Sequence, residues 1–314
     1  MPMALPPDLD PARIRARLAA RRLGSRVTVL ARTGSTMDAL AAEARSGAPD
    51  GSVVIADHQT GGRGRLGRAW EAPPGTALML SVLFRPDPRR LPAERAGEIP
   101  MAVALGALDA IAPWLPAECA CRIKWPNDIV VDGAKVAGLL AEARWPADRS
   151  GVRGRHEVIV GIGINVWQTA AELPEGAASL AQRSGVITVD SIDRGAAKWP
   201  DAGAAAEVGD AAAGWTRAAL AAGLLDAADG YYGRLLGGER LVDRWSARLI
   251  TLGQAVVARR GAETIRGLAV AVADDGALLV RSGEGGLVAL HAGDVTLAGT
   301  EGAVGETTGP DRAS

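Results

Sequence analysis

The sequence predicts an α+β protein in which helices pack on a mixed β-sheet and a small β-barrel follows. Between residues 28 and 170, apolar segments of strand length outnumber helical ones and are joined by short turns. This order differs from a regular βαβ alternation and favours a mixed sheet. Residues 100–112 have the apolar spacing of a helix that packs on a sheet. After residue 246, five short strand-like segments alternate with Gly and Asp-Gly turns, which predicts the small barrel.

Capping residues and apolar segments in the sequence predict the first helices and the strands. Asp10 followed by Pro11 is typical of a helix start, and we expect one basic helix over residues 8–24. Ser35 or Thr36 is suited to cap a second helix, which should end at Gly47. Strands are expected at 27–33, 52–57, 77–84, 121–124, 129–131, 135–143 and 157–166.

Changes in composition divide the chain. We expect an N-terminal helical extension over residues 1–27 and a main domain over 28–245. A small domain should span 246–300, standing apart from the main one, and residues 301–314 should be a disordered tail. Within the main domain, residues 183–214 are rich in Ala, Gly and Asp without a clear period, which predicts a flexible insertion.

The bulk composition excludes some classes of function. The chain has 314 residues, 48% hydrophobic and 23% charged, with a formal net charge of -1. This balance gives no global attraction to nucleic acid or to anionic lipid. No run approaches the roughly 20 uninterrupted apolar residues of a membrane span. The N-terminus also lacks the apolar core of a signal peptide. We therefore expect a cytoplasmic protein without a membrane partner.

The segment from Gln59 to Trp70 is the most informative. It carries four glycines and three arginines with no acidic residue among them. The planar donors of arginine suit phosphate and carboxylate groups. The segment contains a G-x-G-x-x-G pattern, but a turn follows it rather than a helix, which argues against a dinucleotide fold. A nucleic-acid-binding loop and a flexible surface loop remain open at this point.

Two further segments combine polar residues with glycines. Lys124–Asp128 precedes Lys135–Leu140, although a Pro-Asn-Asp turn beside a solvated lysine would also fit these residues. In Gly161–Asn165 the alternating glycines leave one face of a strand bare, as happens where a ligand comes close. A packed strand with a bulge is the alternative for this segment.

Taken together, these segments resemble the catalytic domain of biotin–protein ligases. The matching residues, in the family's order, are Gly34–Thr36, Gly61–Arg68 with Trp70, Lys124–Asp128, Lys135–Leu140 and Gly161–Asn165. The C-terminal β-unit is also similar to the family's SH3-like domain. The resemblance implies ATP-dependent activation of biotin to biotinyl-5'-AMP. The biotinyl group would then pass to a lysine of a biotin carboxyl carrier protein or carboxylase carrier domain.

The resemblance also implies roles for individual residues. Lys135, Arg65 and Arg68 would be catalytic, with Lys135 at the α-phosphate, and Asn127 and Asn165 would hold Mg²⁺ indirectly. The biotin-binding residues would be Ser35, Thr36, Gln59, Arg63, Arg65, Gly138 and Trp70. The nucleotide-binding residues would be Arg65, Arg68, Asn127, Lys135 and Asn165. These types suit the reaction, because a carboxylate that attacks a phosphate brings two anions together and needs cations beside it.

Two alternatives are a lipoate–protein ligase and a non-catalytic biotin-sensing regulator. The glycine-arginine loop argues against the first, and Lys135 argues against the second. About 27 residues precede the first core strand, too few for the DNA-binding domain of bifunctional family members. We therefore expect a monofunctional ligase without specific DNA binding. The sequence leaves open the carrier protein, a homodimer and the role of the insertion.

Overall fold

The computed structural model describes residues 5–20, 22–144, 156–184, 216–260, 263–283, 285–291 and 293–297. Within these ranges the chain forms a seven-stranded sheet with helices and a separate five-stranded sheet. The predicted insertion at 183–214 lies outside the described residues except for its first two positions, which end a short helix. The predicted tail at 301–314 lies wholly outside them.

The larger sheet is mixed, as predicted. Its order is β1-β2-β3-β7-β6-β5-β4, and β1 and β2 are parallel while the other neighbours are antiparallel. The elements of this region are α1 (Pro11–Arg17), β1 (Arg26–Thr33), α2 (Thr36–Arg45), β2 (Ser52–Gln59), β3 (Ala77–Phe84), α3 (Ile99–Ile111), β4 (Cys121–Lys124), β5 (Asp128–Val131), β6 (Ala134–Arg144) and β7 (Glu157–Asn165).

Three helices and the small sheet complete the described chain. The helices are α4 (Leu180–Ser184), α5 (Arg217–Leu236) and α6 (Val242–Ser246). The five-stranded antiparallel sheet has the order β11-β10-β9-β8-β12. Its strands are β8 (Ala255–Arg260), β9 (Glu263–Val272), β10 (Leu278–Ser282), β11 (Leu287–Leu290) and β12 (Asp294–Leu297).

The first helix is shorter than predicted. Asp10 caps it through the N–H of Ala12, but it ends at Arg17 instead of continuing to residue 24. Beyond Leu18, which caps the helix, the N–H groups of Ala19 and Ala20 donate to the carboxylate of Asp226 on α5 at 2.9 and 2.6 Å. These long-range bonds replace the helical ones, which no local pattern in residues 8–24 could indicate.

The middle of the larger sheet is buried on both faces. Every residue of β3 is buried, while α2 packs against β2, β3 and β7, and α3 lies between the sheet and α5. Apart from the exposed Asp109, helix α3 is apolar, as expected of a helix that is buried over most of its surface. In the described residues, 93–114 is the one helical stretch apolar and long enough to cross a membrane. Of its 18-residue apolar window, 72% is buried inside the fold, as expected of a core helix.

A buried ion-pair cluster ties the N-terminal segment to the sheet. Arg217, the first residue of α5, is fully buried and pairs with Asp8 at 2.8 Å and with Asp57 at 2.7 Å. Asp57, near the end of β2, also accepts a hydrogen bond from the N–H of Gly75 at 3.0 Å. The cluster thereby fixes the turn that leads from Trp70 to β3.

The small domain is joined closely to the larger sheet, and the expectation that it stands apart is wrong. The N–H of Ile123 on β4 donates to the carbonyl of Arg248, and the N–H of Ile250 donates to the carbonyl of Ile123, both at 2.9 Å. Trp125 donates through its backbone N–H to Thr251 Oγ1 at 2.9 Å and through Nε1 to the carbonyl of Gly276 at 3.0 Å. The segment after β4 is thus fixed by both domains.

Candidate functional site

A cavity of about 930 Å³ lies between the larger sheet, the loop of residues 61–68 and the small domain. We call residues 61–68 the arginine loop. Every site residue predicted from the sequence lines this cavity: Ser35, Thr36, Gln59, Arg63, Arg65, Arg68, Trp70, Asn127, Lys135, Gly138 and Asn165. The fold therefore brings together segments that are far apart in the chain.

Trp70 lies on a pair of glycines that face each other across two strands. Gly138 of β6 is directly opposite Gly163 of β7. A Cβ atom added to Gly163 would be 2.3 Å from the Trp70 indole, and one added to Gly138 would be 3.2 Å from it. The bare strand face predicted from the sequence thus receives an aromatic side chain. β7 pairs without a register shift on either side, and the alternative of a bulge is wrong.

Hydroxyl and amide groups form one end of the cavity. Thr36 donates to Gln59 Oε1 through its backbone N–H at 2.7 Å and through Oγ1 at 3.0 Å. Ser81, a buried polar residue of β3 that the sequence reading missed, donates to Thr36 Oγ1 at 2.8 Å. In the sequence, Ser81 could have been noticed as a single serine in an otherwise apolar strand. Within the described residues, Gln59 Nε2 donates only to a weak acceptor, the sulfur of Met79 at 3.4 Å.

The expected side-chain cap of α2 is wrong. Ser35 occupies the N-cap position, but its side chain makes no capping hydrogen bond. Thr36 Oγ1 is directed to Gln59 instead. Both hydroxyl groups therefore belong to the polar end of the cavity, because tertiary contacts have replaced the local cap.

Arg63 is held by carboxylates that lie outside the arginine loop. Its guanidinium forms two bonds with Asp38 of α2, at 2.6 and 2.9 Å, and one with Glu142 of β6 at 3.1 Å. The hydrogen bonds from Arg63 hold the pKa of Asp38 below its usual value. Sequence reading missed both acids because they become neighbours of the loop only through the fold.

Arg65 and Asn127 form a second contact of the loop. Arg65 Nη1 donates to Asn127 Oδ1 at 3.0 Å, and Asn127 Nδ2 donates to the carbonyl of Leu139 at 2.7 Å. The N–H of Leu139 returns a bond to the carbonyl of Asn127 at 2.9 Å. Asn127 thereby fixes Arg65 relative to β6.

Lys135 lies beside Trp70 near the start of β6. Its Nζ is 2.7 Å from Asp128 Oδ1 and 5.8 Å from the centroid of the Trp70 ring. The carboxylate forms an ion pair with the Lys135 side chain, and the aromatic face lies within cation–π distance of its Nζ. About a third of the Lys135 side chain is exposed, which leaves the amine accessible from the cavity.

Asn165 is almost fully buried at the end of β7. Its Nδ2 donates to the carbonyl of Ala178 at 3.1 Å, and its Oδ1 accepts from Gln168 Nε2 at 3.0 Å. Asn127 Oδ1 likewise already accepts from the cationic Arg65. Both amides line the cavity, and their expected indirect role in holding Mg²⁺ stays a prediction. The described residues also contain no cluster of three or more His, Cys, Asp or Glu suited to a metal.

The small domain contributes a wall that the sequence did not predict. Arg259 of β8 and Val295 and Thr296 of β12 line the cavity. Gly293 lies next to them, and a Cβ there would be 2.9 Å from the carbonyl of Arg259. The cavity thus has a polar end, an aromatic middle and cations from both domains. The fold and this site define a protein that binds an elongated small molecule carrying anionic groups.

Comparisons with known proteins agree with this class. Residues 29–165 match the biotin/lipoate A/B protein ligase family, and residues 251–297 match the biotin protein ligase C terminal domain. A solved biotin protein ligase from Aquifex aeolicus, in complex with biotin and ATP, has a TM-score of 0.62 at 24% identity. That match covers 87% of this chain and 98% of the other, and it supports the fold.

Curated relatives establish the family. A biotin–[acetyl-CoA-carboxylase] ligase of Mycobacterium tuberculosis is 41% identical over 181 residues, and the match spans 56% of this chain and 63% of that protein. One of Paracoccus denitrificans is 32% identical over 271 residues, which are 86% of this chain and 100% of that protein. The chain belongs to the biotin/lipoate A/B protein ligase family. The resemblance seen in the sequence and the predicted fold class are both confirmed.

Proposed function

We propose that the protein is a biotin–protein ligase, which forms biotinyl-5'-AMP from biotin and ATP and transfers biotin to a carrier lysine. One observation carries the proposal. A single cavity joins the hydroxyl and amide groups around Gln59 to the cations around Lys135. A ligand with a polar head and a carboxylate tail, such as biotin, fits this order of groups.

The polar end favours biotin over lipoate. The ureido ring of biotin offers two N–H donors and one carbonyl acceptor, which the Ser35 and Thr36 hydroxyls and Gln59 Nε2 would match. The dithiolane ring of lipoate offers none of these and would leave buried polar groups unpaired. A site built for hydrogen bonds discriminates strongly against an analogue that lacks them.

Arg65, Arg68 and Lys135 suit the adenylation step. A carboxylate oxygen of biotin attacks the α-phosphorus of ATP, and pyrophosphate leaves. Both reactants are anions, so fixed cations stabilise the charge that builds up in the transition state. In the second step the amine of the carrier lysine attacks the biotinyl carbonyl and AMP leaves. The cations do not form a covalent bond in either step.

Other residues would shape the site around these groups. Trp70 and Gly138 would wall the biotin pocket, while Arg63, tied to Asp38, would hold the arginine loop beside it. We propose that Mg²⁺ enters with the phosphates of ATP, since this ion is usually held by substrate phosphates and one or two carboxylates. The domain division at residue 246, the cytoplasmic location and the absence of specific DNA binding also stand as proposals.

Transfer of labelled biotin tests the function. The protein is incubated with radiolabelled biotin, ATP, Mg²⁺ and a carboxylase carrier domain, and labelled carrier is the expected product. A parallel reaction with lipoate should give none. Labelled carrier from lipoate alone would identify the alternative ligase. Biotin binding without any adenylate or transfer would identify a sensor, and either result would overturn the proposal.

A further inference from the structure

Ser81 is a polar residue in the otherwise apolar strand β3. Its side chain is fully buried, and a buried hydroxyl group is unfavourable unless it forms a hydrogen bond. Among the described residues, the hydroxyl of Ser81 bonds to one partner, Thr36 Oγ1, at 2.8 Å. Thr36 lines the cavity, whereas Ser81 is not among the residues that line it. The one bond of this buried serine is thus made to a residue of the site.

A backbone group fixes the orientation of the Gln59 amide. The N–H of Thr36 donates to this amide at 2.7 Å. Because a backbone N–H can only donate, the atom that faces it must be the amide oxygen. The reversed amide would bring two donors together. Gln59 Nε2 therefore lies on the other side, where a Cβ atom added to Gly62 would be 2.9 Å from it. The glycine leaves this donor uncrowded.

The same reasoning fixes the proton of the Thr36 hydroxyl. Thr36 Oγ1 is 3.0 Å from Gln59 Oε1, and an amide oxygen can only accept, so the hydroxyl must donate to it. A hydroxyl group has one proton and two lone pairs. Because its proton is used for Gln59, Thr36 Oγ1 accepts from Ser81, and one lone pair remains. Thr36 can therefore offer a ligand an acceptor, while Gln59 Nε2 offers it a donor.

We propose that Ser81 is a positioning residue that presents Thr36 Oγ1 as the acceptor for a ureido N–H of biotin. The bond from Ser81 holds the Thr36 oxygen from the side of the sheet and occupies one of its lone pairs, which leaves the other for the ligand. An acceptor beside a donor matches the N–H and the carbonyl of a cyclic urea. The inference rests on the proposed function and deepens it, because it adds a residue behind the cavity wall to the biotin site.

Equilibrium dialysis with labelled biotin, without ATP, measures the effect. A wild-type protein that does not bind biotin would count against the proposed function, whereas this inference is judged on variants of a protein that binds. Ser81→Ala should raise the Kd for biotin about fivefold, which corresponds to about 1 kcal/mol for one hydrogen bond. In pyrophosphate exchange, its KM for biotin should rise by a similar factor. Its kcat and its KM for ATP should stay within about twofold of wild type.

Ser52→Ala is the matched control. Ser52 is also fully buried, and its hydroxyl donates to the carbonyl of Pro49 at 2.8 Å, outside the residues that line the cavity. This variant should leave the Kd for biotin within about twofold of wild type. Equal losses in Ser52→Ala and Ser81→Ala, or an unchanged Kd in Ser81→Ala, would overturn the proposal.

Desthiobiotin supplies a readout that a general structural role would not give. It keeps the cyclic urea of biotin but lacks the sulfur-containing ring. Because Ser81 is proposed to act on the ureido contact, Ser81→Ala should weaken the binding of both ligands by the same factor. A loss confined to biotin would show that Ser81 affects the packing of the ring, and the proposal would then be wrong.

A double-mutant cycle tests the route through Thr36. Thr36→Val keeps the shape of the side chain but removes the hydroxyl, and it should weaken biotin binding by itself. Adding Ser81→Ala should cause no further loss, because the oxygen through which Ser81 acts is then absent. If Ser81→Ala does not fold, Ser81→Cys takes its place in the cycle, since a thiol is only a weak donor. Losses that multiply would show that Ser81 does not act through Thr36.

Discussion

Substitution of Gly163 is expected to impair the site by moving Trp70. In Gly163→Ala the new methyl group would lie 2.3–2.6 Å from three atoms of the indole, whereas ordinary contacts begin at 3.4 Å. The indole would have to retreat by about 1 Å, and it would move into the space of the ligand. A misplacement of this size costs roughly 100-fold in kcat/KM, or ~2.7 kcal/mol of transition-state stabilisation.

The assay is pyrophosphate exchange in the presence of biotin, together with thermal unfolding. The fold should persist, because alanine is more favourable than glycine inside a strand. Gly161→Ala is the matched control, two residues away on the same face of β7. Its methyl group would meet the flexible side chain of Met37 at 3.0 Å, and we expect a loss within about threefold. Equal losses in the two variants, or none in Gly163→Ala, would refute the argument.

Three further predictions follow from named contacts. Lys135→Ala should slow pyrophosphate exchange at least tenfold, or by ~1.4 kcal/mol or more of barrier, with biotin binding retained in equilibrium dialysis; a smaller effect would exclude a catalytic role. Arg217→Met should lower the free energy of unfolding by about 3–5 kcal/mol, because Asp8 and Asp57 keep buried charges; an unchanged urea midpoint would contradict this. Burial lowers the pKa of His156 below its ordinary 6.5. Below that pH, His156 binds a proton more readily in the unfolded chain than in the folded one. The free energy of unfolding should therefore fall more steeply as the pH is lowered than it does in His156→Leu. If the free energies of unfolding of the two proteins, measured with urea, changed with pH in the same way, this prediction would be wrong.

Much of the fold could be predicted from the sequence because its signals are local. The apolar run of β3 and the alternating glycines of β7 each determine one strand and the character of its faces. The predicted order of strands and helices is the order observed, and the ligand-facing segments were found as motifs. The error at the N-terminus has a physical cause, since the N–H groups of Ala19 and Ala20 bond to Asp226 on α5 rather than to their own preceding turn.

The partners of the site residues could not be predicted in the same way. The arginine loop carries no acid of its own, yet Arg63 is neutralised by Asp38 and Glu142, which reach it only through the packing of α2 and the position of β6. The amides of Asn127 and Asn165 line the cavity, and only the register of β5, β6 and β7 decides which neighbouring groups they bond.

The sequence by itself therefore determined most of the secondary structure, the family resemblance and the residue types of the site. Each of these depends on residues within a few positions of one another along the chain. The tertiary structure alone decided how those residues are paired and that the small domain closes the cavity with Arg259. Hydrogen bonds and ion pairs depend on distances of a few ångströms between distant segments, and those distances are set only when the sheets and helices pack.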